Sequence, residues 1–392
     1  MRSRPRIVVS GFIGLFPFGG VAWDYAQYVA GLAALGCDVV YLEDTGAWPV
    51  YQRELDSASN VAHVGATMEY FGLAGRWAYH DAVTEQWFGL SEEAIGEFCR
   101  TADIFLNVSC SATMRDAYLS IPVRALVDTD PMFTQIQYLR DRSLSAGPTG
   151  MRALVENHTH LFTFGESIGA ASCQIPTLDV EWKPTRQPVL LDRWRVNEAR
   201  NGEPGCYSTV MNWKIEHELV FDGQQWGQKD VEFMRFFNLP RRVPEISLGV
   251  AVSQSPESGF PTAAAREAGW IVLDPASCAH DAQSYRDFIA GSRGEFSVAK
   301  HTYVKAQTGW FSCRSGCYLA AGRPVVTQDT SWSQQLPNGR GLLAFHDEES
   351  AAEALREVDR DLKTHSKAAR AIAHEYFDSA KVLREMLAHM GW

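Results

Sequence analysis

The segment that most restricts the fold is Arg6-Ile7-Val8-Val9-Ser10, a β-branched run that stops at Gly11. Short runs apolar on both faces are strands of buried parallel sheets. A glycine-rich loop from Phe12 to Gly20 follows. Val21 to Leu35 then sets Val21, Tyr25, Tyr28, Val29, Leu32 and Leu35 at helical spacing, and Gly36 stops the helix. Cys37 to Leu42 reads as the next strand. Strand, loop, helix and strand make one unit of a doubly wound sheet. A chain carrying this unit is expected to be α/β.

Further strands are expected at Asp103–Val108, Ala125–Val127 and Leu161–Phe164. Each runs into small or polar residues: Ser109-Cys110-Ser111, Asp128-Thr129-Asp130-Pro131 and Gly165-Glu166-Ser167. In open α/β sheets ligands bind outside the carboxyl ends of the strands, so these loops are candidate walls of a binding crevice. From 176 to 205 prolines, glycines and mixed charges break any period, which marks a linker. A second set of strands begins at Tyr207–Met211 and continues at Ile246–Val252, Trp270–Leu273 and Pro324–Thr327. Helices are expected at Pro261–Ala268 and Ala282–Ser292, and the charged tail from Ser350 to Met390 is helical. At 392 residues the chain has room for two cores. The expected division is a domain over 1–178, a linker over 179–205, a second domain over 206–365, and a C-terminal helix over 366–392. That last segment has apolar residues at helical spacing with a break near Asp378-Ser379, as in a helix that crosses back to pack on the first domain.

Composition narrows the function. Lysine and arginine number 36 against 47 acids, a net charge of −11. That argues against a nucleic-acid partner, which needs many cations to displace counterions. No apolar run reaches the roughly 18 residues of a membrane span. The basic start Met1-Arg2-Ser3-Arg4-Pro5-Arg6 leads into a strand rather than a signal sequence, so the expected location is cytoplasmic. Eight scattered cysteines with no C-x-x-C pair suggest reduced thiols and no zinc.

The most informative segment is Gly309-Trp310-Phe311-Ser312-Cys313-Arg314-Ser315-Gly316-Cys317-Tyr318-Leu319-Ala320-Ala321-Gly322-Arg323-Pro324-Val325-Val326. A loop opens a helix, and the helix ends in A-x-G-x-P-V-V leading into a strand. This resembles the donor-binding signature of GT-B glycosyltransferases. The resemblance implies two Rossmann-like domains facing across a cleft, a nucleotide-diphosphate sugar as co-substrate, a small-molecule acceptor and no cofactor. It places Ser312, Arg314 and Ser315 at a helix start. There free N–H groups, hydroxyls and a guanidinium suit a diphosphate. It places Asp329 and Thr330, just past the strand, near the donor sugar. Lys214, Lys305, Gly19 and Gly20 are further donor contacts in this reading. Retaining members carry glutamates at two positions that here are Gly309 and Cys317, so the usual acid for the nucleotide ribose is missing.

A glycosyl acceptor must lose a proton as it attacks. The inverting family members use a histidine near the start of the first helix, and none lies there. Asp24 and Asp128 are the candidate bases, with Glu166 a third. Asp128-Thr129-Asp130 matches a D-x-D metal string but lies in the half without the donor signature, so no metal is expected. Loop aromatics such as Phe12, Phe16 and Phe18 suit an aromatic natural-product acceptor. A sugar-nucleotide binding protein without turnover and a nucleotide-sugar epimerase of similar fold are the alternatives.

Overall fold

The computed structural model describes residues 4–47, 57–144, 150–194, 205–214 and 219–392. The part of the expected linker from 195 to 204 lies outside the described residues. The chain divides into two compact units. The first comprises Met1–Gly165, Pro176–Leu190 and Ser379–Trp392, and the second Glu166–Ile175 and Leu191–Asp378.

In chain order the first unit opens with β1 (Arg6–Ser10), α1 (Gly19–Ala34), β2 (Asp38–Glu43) and α2 (Ala58–Tyr70). It continues with β3 (Trp77–His80), β4 (Trp87–Gly89), α3 (Glu92–Thr101), β5 (Ile104–Val108) and α4 (Asp116–Leu119). Then come β6 (Val123–Asp128), α5 (Phe133–Leu144), α6 (Met151–Glu156), β7 (His160–Thr163) and β8 (Trp182–Pro184). The sheet order is β4-β3-β2-β1-β5-β6-β7-β8. All neighbours are parallel except the β3–β4 pair. Setting aside the edge strands β4 and β8, this is the 3-2-1-4-5-6 order of the Rossmann fold. Val8, Val40, Phe105 and Tyr118 fill one face of its core.

The second unit runs β9 (Tyr207–Val210), β10 (Leu219–Phe221), β11 (Gln224–Trp226), α7 (Lys229–Phe233) and α8 (Leu239–Arg242). Next are β12 (Leu248–Ala251), α9 (Thr262–Glu267), β13 (Ile271–Leu273), α10 (Pro275–Cys278) and α11 (Ala282–Gly291). It ends with β14 (Gly294–Ser297), α12 (His301–Ala306), α13 (Cys313–Ala320), β15 (Val325–Gln328), β16 (Leu342–Phe345), α14 (Glu348–Arg360) and α15 (Leu362–Ile372). Its main sheet has the order β13-β12-β9-β14-β15-β16, with every pair parallel. This too is the 3-2-1-4-5-6 order, so the switch point lies between β9 and β14. Phe296 and Phe345 stack in its core, with Phe236 edge-on to both.

The expected tail divides between the units. Residues 366–378 stay with the second, where a π turn at Ala373–Phe377 ends the helical run. α16 (Ser379–His389) belongs to the first unit and packs on α1. The approach is close: a Cβ at Gly31 would lie 2.5 Å from Leu383 Cδ1 and 3.3 Å from Ser379 Cβ. Met386, Leu387 and Met390 are buried. Among the described residues no helix is long and apolar enough to cross a membrane.

Candidate functional site

In the second unit, three loops meet at the carboxyl ends of the strands. Gly309 N donates to Thr330 O at 2.7 Å, just past β15. Ser167 N donates to Thr308 O at 3.0 Å, and Thr330 Oγ1 donates to Trp310 O at 2.6 Å. Gly309 has φ +73°, and a Cβ there would lie 2.5 Å from Ser167 Oγ. The position at which the sequence resemblance implied an acid therefore has no room for a side chain. The loop delivers the chain to Ser312, the N-cap of α13, whose hydroxyl makes no capping bond. One turn on, Ser315 Oγ is buried with no hydrogen-bond partner.

Arg314 corrects the sequence reading. Its Nε donates to Glu295 Oε1 at 2.6 Å, its Nη1 to Val210 O at 2.6 Å and its Nη2 to Ser297 Oγ at 2.5 Å. The side chain is 10% exposed and Glu295 is fully buried. Burial works against the guanidinium charge, but the Glu295 carboxylate outweighs it and raises the pKa. Arg314 thus braces the ends of β9 and β14 across the switch point rather than presenting an open fork to an anion. Deeper in the same layer Ser208 Oγ bonds Ser292 Oγ and Tyr318 Oη.

The other expected donor contacts spread around this edge. Asp329 accepts from Ser333 N and Oγ, and so caps the turn after β15. Thr330 is buried, with its hydroxyl turned into the loop. Lys305 stands over the Trp226 ring at 4.2 Å and donates to Gln225 O. Lys214 is exposed just beyond β9.

Sequence reasoning missed a further cluster here. Glu232 of α7 is buried and accepts from His301 Nδ1 at 2.7 Å, Arg235 Nη1 at 2.7 Å and Gln328 Nε2. Burial would raise its pKa, but these donors prevail and hold it below the usual carboxylate range. Arg235 is three positions away, but His301 and Gln328 are 69 and 96 away, and only the fold brings those two to Glu232.

In the first unit Gly19 and Gly20 are not loop residues. They open α1, which begins two residues before the apolar spacing suggested, because glycine leaves no pattern to read. Asp24 is consequently in the second turn, half-buried, and its carbonyl accepts from Gln187 Nε2 at 2.9 Å. Asp128 is sealed. Its carboxylate accepts from Thr134 Oγ1, Gln135 Nε2, Thr163 Oγ1 and Asp130 N at 2.7–3.1 Å, with 0% exposure. Burial raises its pKa, though the Gln135, Thr134 and Thr163 donors oppose the rise. It ties β6, β7 and α5 together, and a base so enclosed has no path to an acceptor hydroxyl.

The loop after β1 is held by an unforeseen residue. Glu43 accepts from Gly14 N at 2.7 Å, Leu15 N at 2.6 Å and Tyr41 Oη at 2.7 Å. Burial pushes it up to about 7, against the pull of those donors. Next to it Asp44 pairs with Arg115, with Tyr118 Oη at 2.7 Å and with His80 Nδ1 at 3.0 Å. Ser109 and Cys110, which follow β5, both have positive φ, a conformation that collects at binding edges. An open depression lined by Pro337, Arg340, Glu357 and Ile372 lies at the amino end of β16, the wrong edge of the sheet for a Rossmann ligand.

No protein-family model matches the chain, and no curated protein matches it in sequence. Solved structures do match its fold over nearly its whole length. An alpha-glucosyltransferase in complex with UDP and a 13-mer DNA superposes with a TM-score of 0.62 at 12% identity, covering 100% of each chain. HepE of Anabaena, in complex with UDP and glucose, gives 0.57 at 10% identity over 99% of each chain. A glycosyltransferase involved in Avilamycin A biosynthesis gives 0.51 at 12% identity, covering 98% of this chain and 96% of that one. The fold is that of the GT-B glycosyltransferases. In GT-B terms, the second unit carries the segment that resembles the donor signature, and α13 is its helix.

Proposed function

We propose that this chain transfers a sugar from a nucleoside-diphosphate sugar to a small acceptor. The observation that carries the reading is α13. Its uncapped first turn opens at the β9/β14 switch point, where a helix N-terminus favours phosphate oxygens. Ser312 and the backbone of that turn hold the diphosphate in this reading, with Lys214 alongside. Arg314, Asp329, Thr330 and Lys305 keep the surrounding loops in place. Positive groups of the protein meet the diphosphate charge, so transfer proceeds without a divalent metal. The opening turn of α1, Gly19-Gly20, is a further ligand contact. Asp24 is the base and takes the acceptor proton.

Half-buried Phe12, Phe16 and Phe18 in the loop before α1 support a small aromatic acceptor, with Phe12 edge-on to Phe16 and to Tyr25. The net charge of −11 supports an acceptor other than nucleic acid. The test is acceptor-dependent release of nucleoside diphosphate from UDP-, dTDP-, GDP- and ADP-glucose, followed by mass spectrometry of the acceptor. Binding of a sugar nucleotide without consumption favours a non-catalytic binder. Conversion to another sugar nucleotide without acceptor favours an epimerase. No binding by any of the four sinks the proposal.

A further inference from the structure

We propose that His301 is a diphosphate-binding residue, anchored through Nδ1 on the buried Glu232 and turning Nε2 to the ligand. The inference rests on the reading of the second unit as the donor half.

β14 ends at Ser297, and four residues later the chain enters α12 at His301. Both Ser297, which accepts from Arg314, and Gln328, which ends β15, lie at the carboxyl edge of the sheet. Gln328 Oε1 accepts from Ala299 N at 3.2 Å, and its amide nitrogen donates to Glu232. His301 N donates to Gln228 O, and Thr302 N to Gly227 O, just before α7. The imidazole is therefore held by Glu232, and its backbone by the Gly227-Gln228 turn, at the carboxyl edge of the sheet where α13 also opens.

Its ring is 30% exposed while Glu232 is 1% exposed. Among the described residues no protein group meets Nε2. A histidine whose Nδ1 is tied to a carboxylate has its other nitrogen oriented for work. The charged groups around it are Glu232 and, on the far side of that carboxylate, Arg235, with Lys300 preceding it in the chain. With Nδ1–H held by Glu232, an imidazolium here donates its Nε2–H to a phosphate oxygen in a charge-assisted bond. An anion is the fitting ligand because Arg314, the cation expected there from sequence, is occupied by Glu295.

The test uses His301→Asn in the full chain. The asparagine amide can keep the Nδ1-type bond to Glu232 while deleting Nε2. UDP, dTDP, GDP and ADP, with the matching nucleosides, are titrated into wild type and variant by calorimetry. The expected result is a roughly tenfold or greater loss of affinity for the best-bound diphosphate, with nucleoside affinity and melting temperature unchanged. Glu232→Gln is the second variant and should weaken the same diphosphate. Diphosphate affinity within about twofold of wild type in His301→Asn overturns the inference and leaves the donor reading standing. Loss of nucleoside and diphosphate affinity in equal measure also overturns it. Wild-type protein that binds none of the four diphosphates overturns both.

Discussion

Arg314→Ala should damage the stability of the second unit before it damages ligand binding. The guanidinium makes three hydrogen bonds of 2.5–2.6 Å, to Glu295, Val210 O and Ser297. Glu295 is fully buried on a central strand, and its Oε2 has no partner even with the arginine in place. Removing the arginine leaves an uncompensated charge in the core, which costs about 3–5 kcal/mol. For a unit of this size each kcal/mol moves Tm by a few degrees, so the loss is roughly 6–20 °C. Differential scanning calorimetry reads it directly. The pair replacement Arg314→Met with Glu295→Leu should recover most of the loss, because apolar groups of similar volume replace a buried ion pair at little cost. A variant Arg314→Ala that melts within about 1 °C of wild type while losing tenfold in UDP affinity would refute this reasoning. It would show that the guanidinium faces the anion after all.

Glu43 makes stability depend on pH. Its carboxyl titrates at about 7 when folded against 4.5 unfolded. The folded state thus keeps a proton that the unfolded chain gives up. Stability therefore falls as pH rises from 4.5 through about 7, by about 3 kcal/mol in all, and Glu43→Gln should flatten the slope in urea melts. An equal slope in the variant would assign the effect elsewhere. Gly309→Ala should destabilise the second unit by about 1–3 kcal/mol, since φ is +73° and Ser167 blocks the Cβ. Wild-type melting in that variant would show that Ser167 steps aside. Asp24→Asn should lower kcat roughly 10²–10⁴-fold with KM little changed. An unchanged kcat would remove Asp24 as the base.

What could be read in advance follows from how local the signal is. β1, β2, β12 and β15 each carry a short apolar stretch, and they stand within two residues of their expected places. β14 was not legible, although it is a central strand. Gly294-Glu295-Phe296-Ser297 looks polar, and Glu295 is tolerated inside only because Arg314 of α13 answers it. The hairpin β10–β11 is short and half exposed, with no period to detect. The helix α13 was legible from the A-x-G-x-P-V-V ending of its segment. The pairs His301–Glu232, His80–Asp44 and Glu43 with Gly14 join residues 29–69 positions apart. Such pairs are properties of the folded sheet edge, and no local pattern announces them.

The return of the chain at Ser379 bears on how the molecule is made. α16 packs against Gly31 of α1, yet it is synthesised after every residue of the second unit. On the ribosome the first sheet can form early, but one flank of α1 stays bare until translation has passed the whole of its neighbour. That flank is apolar, and for this interval it is exposed to other chains and to chaperones. The first unit is thus begun first and finished last, and a ribosome stalled within α14 or α15 would leave a well-formed sheet with an open side.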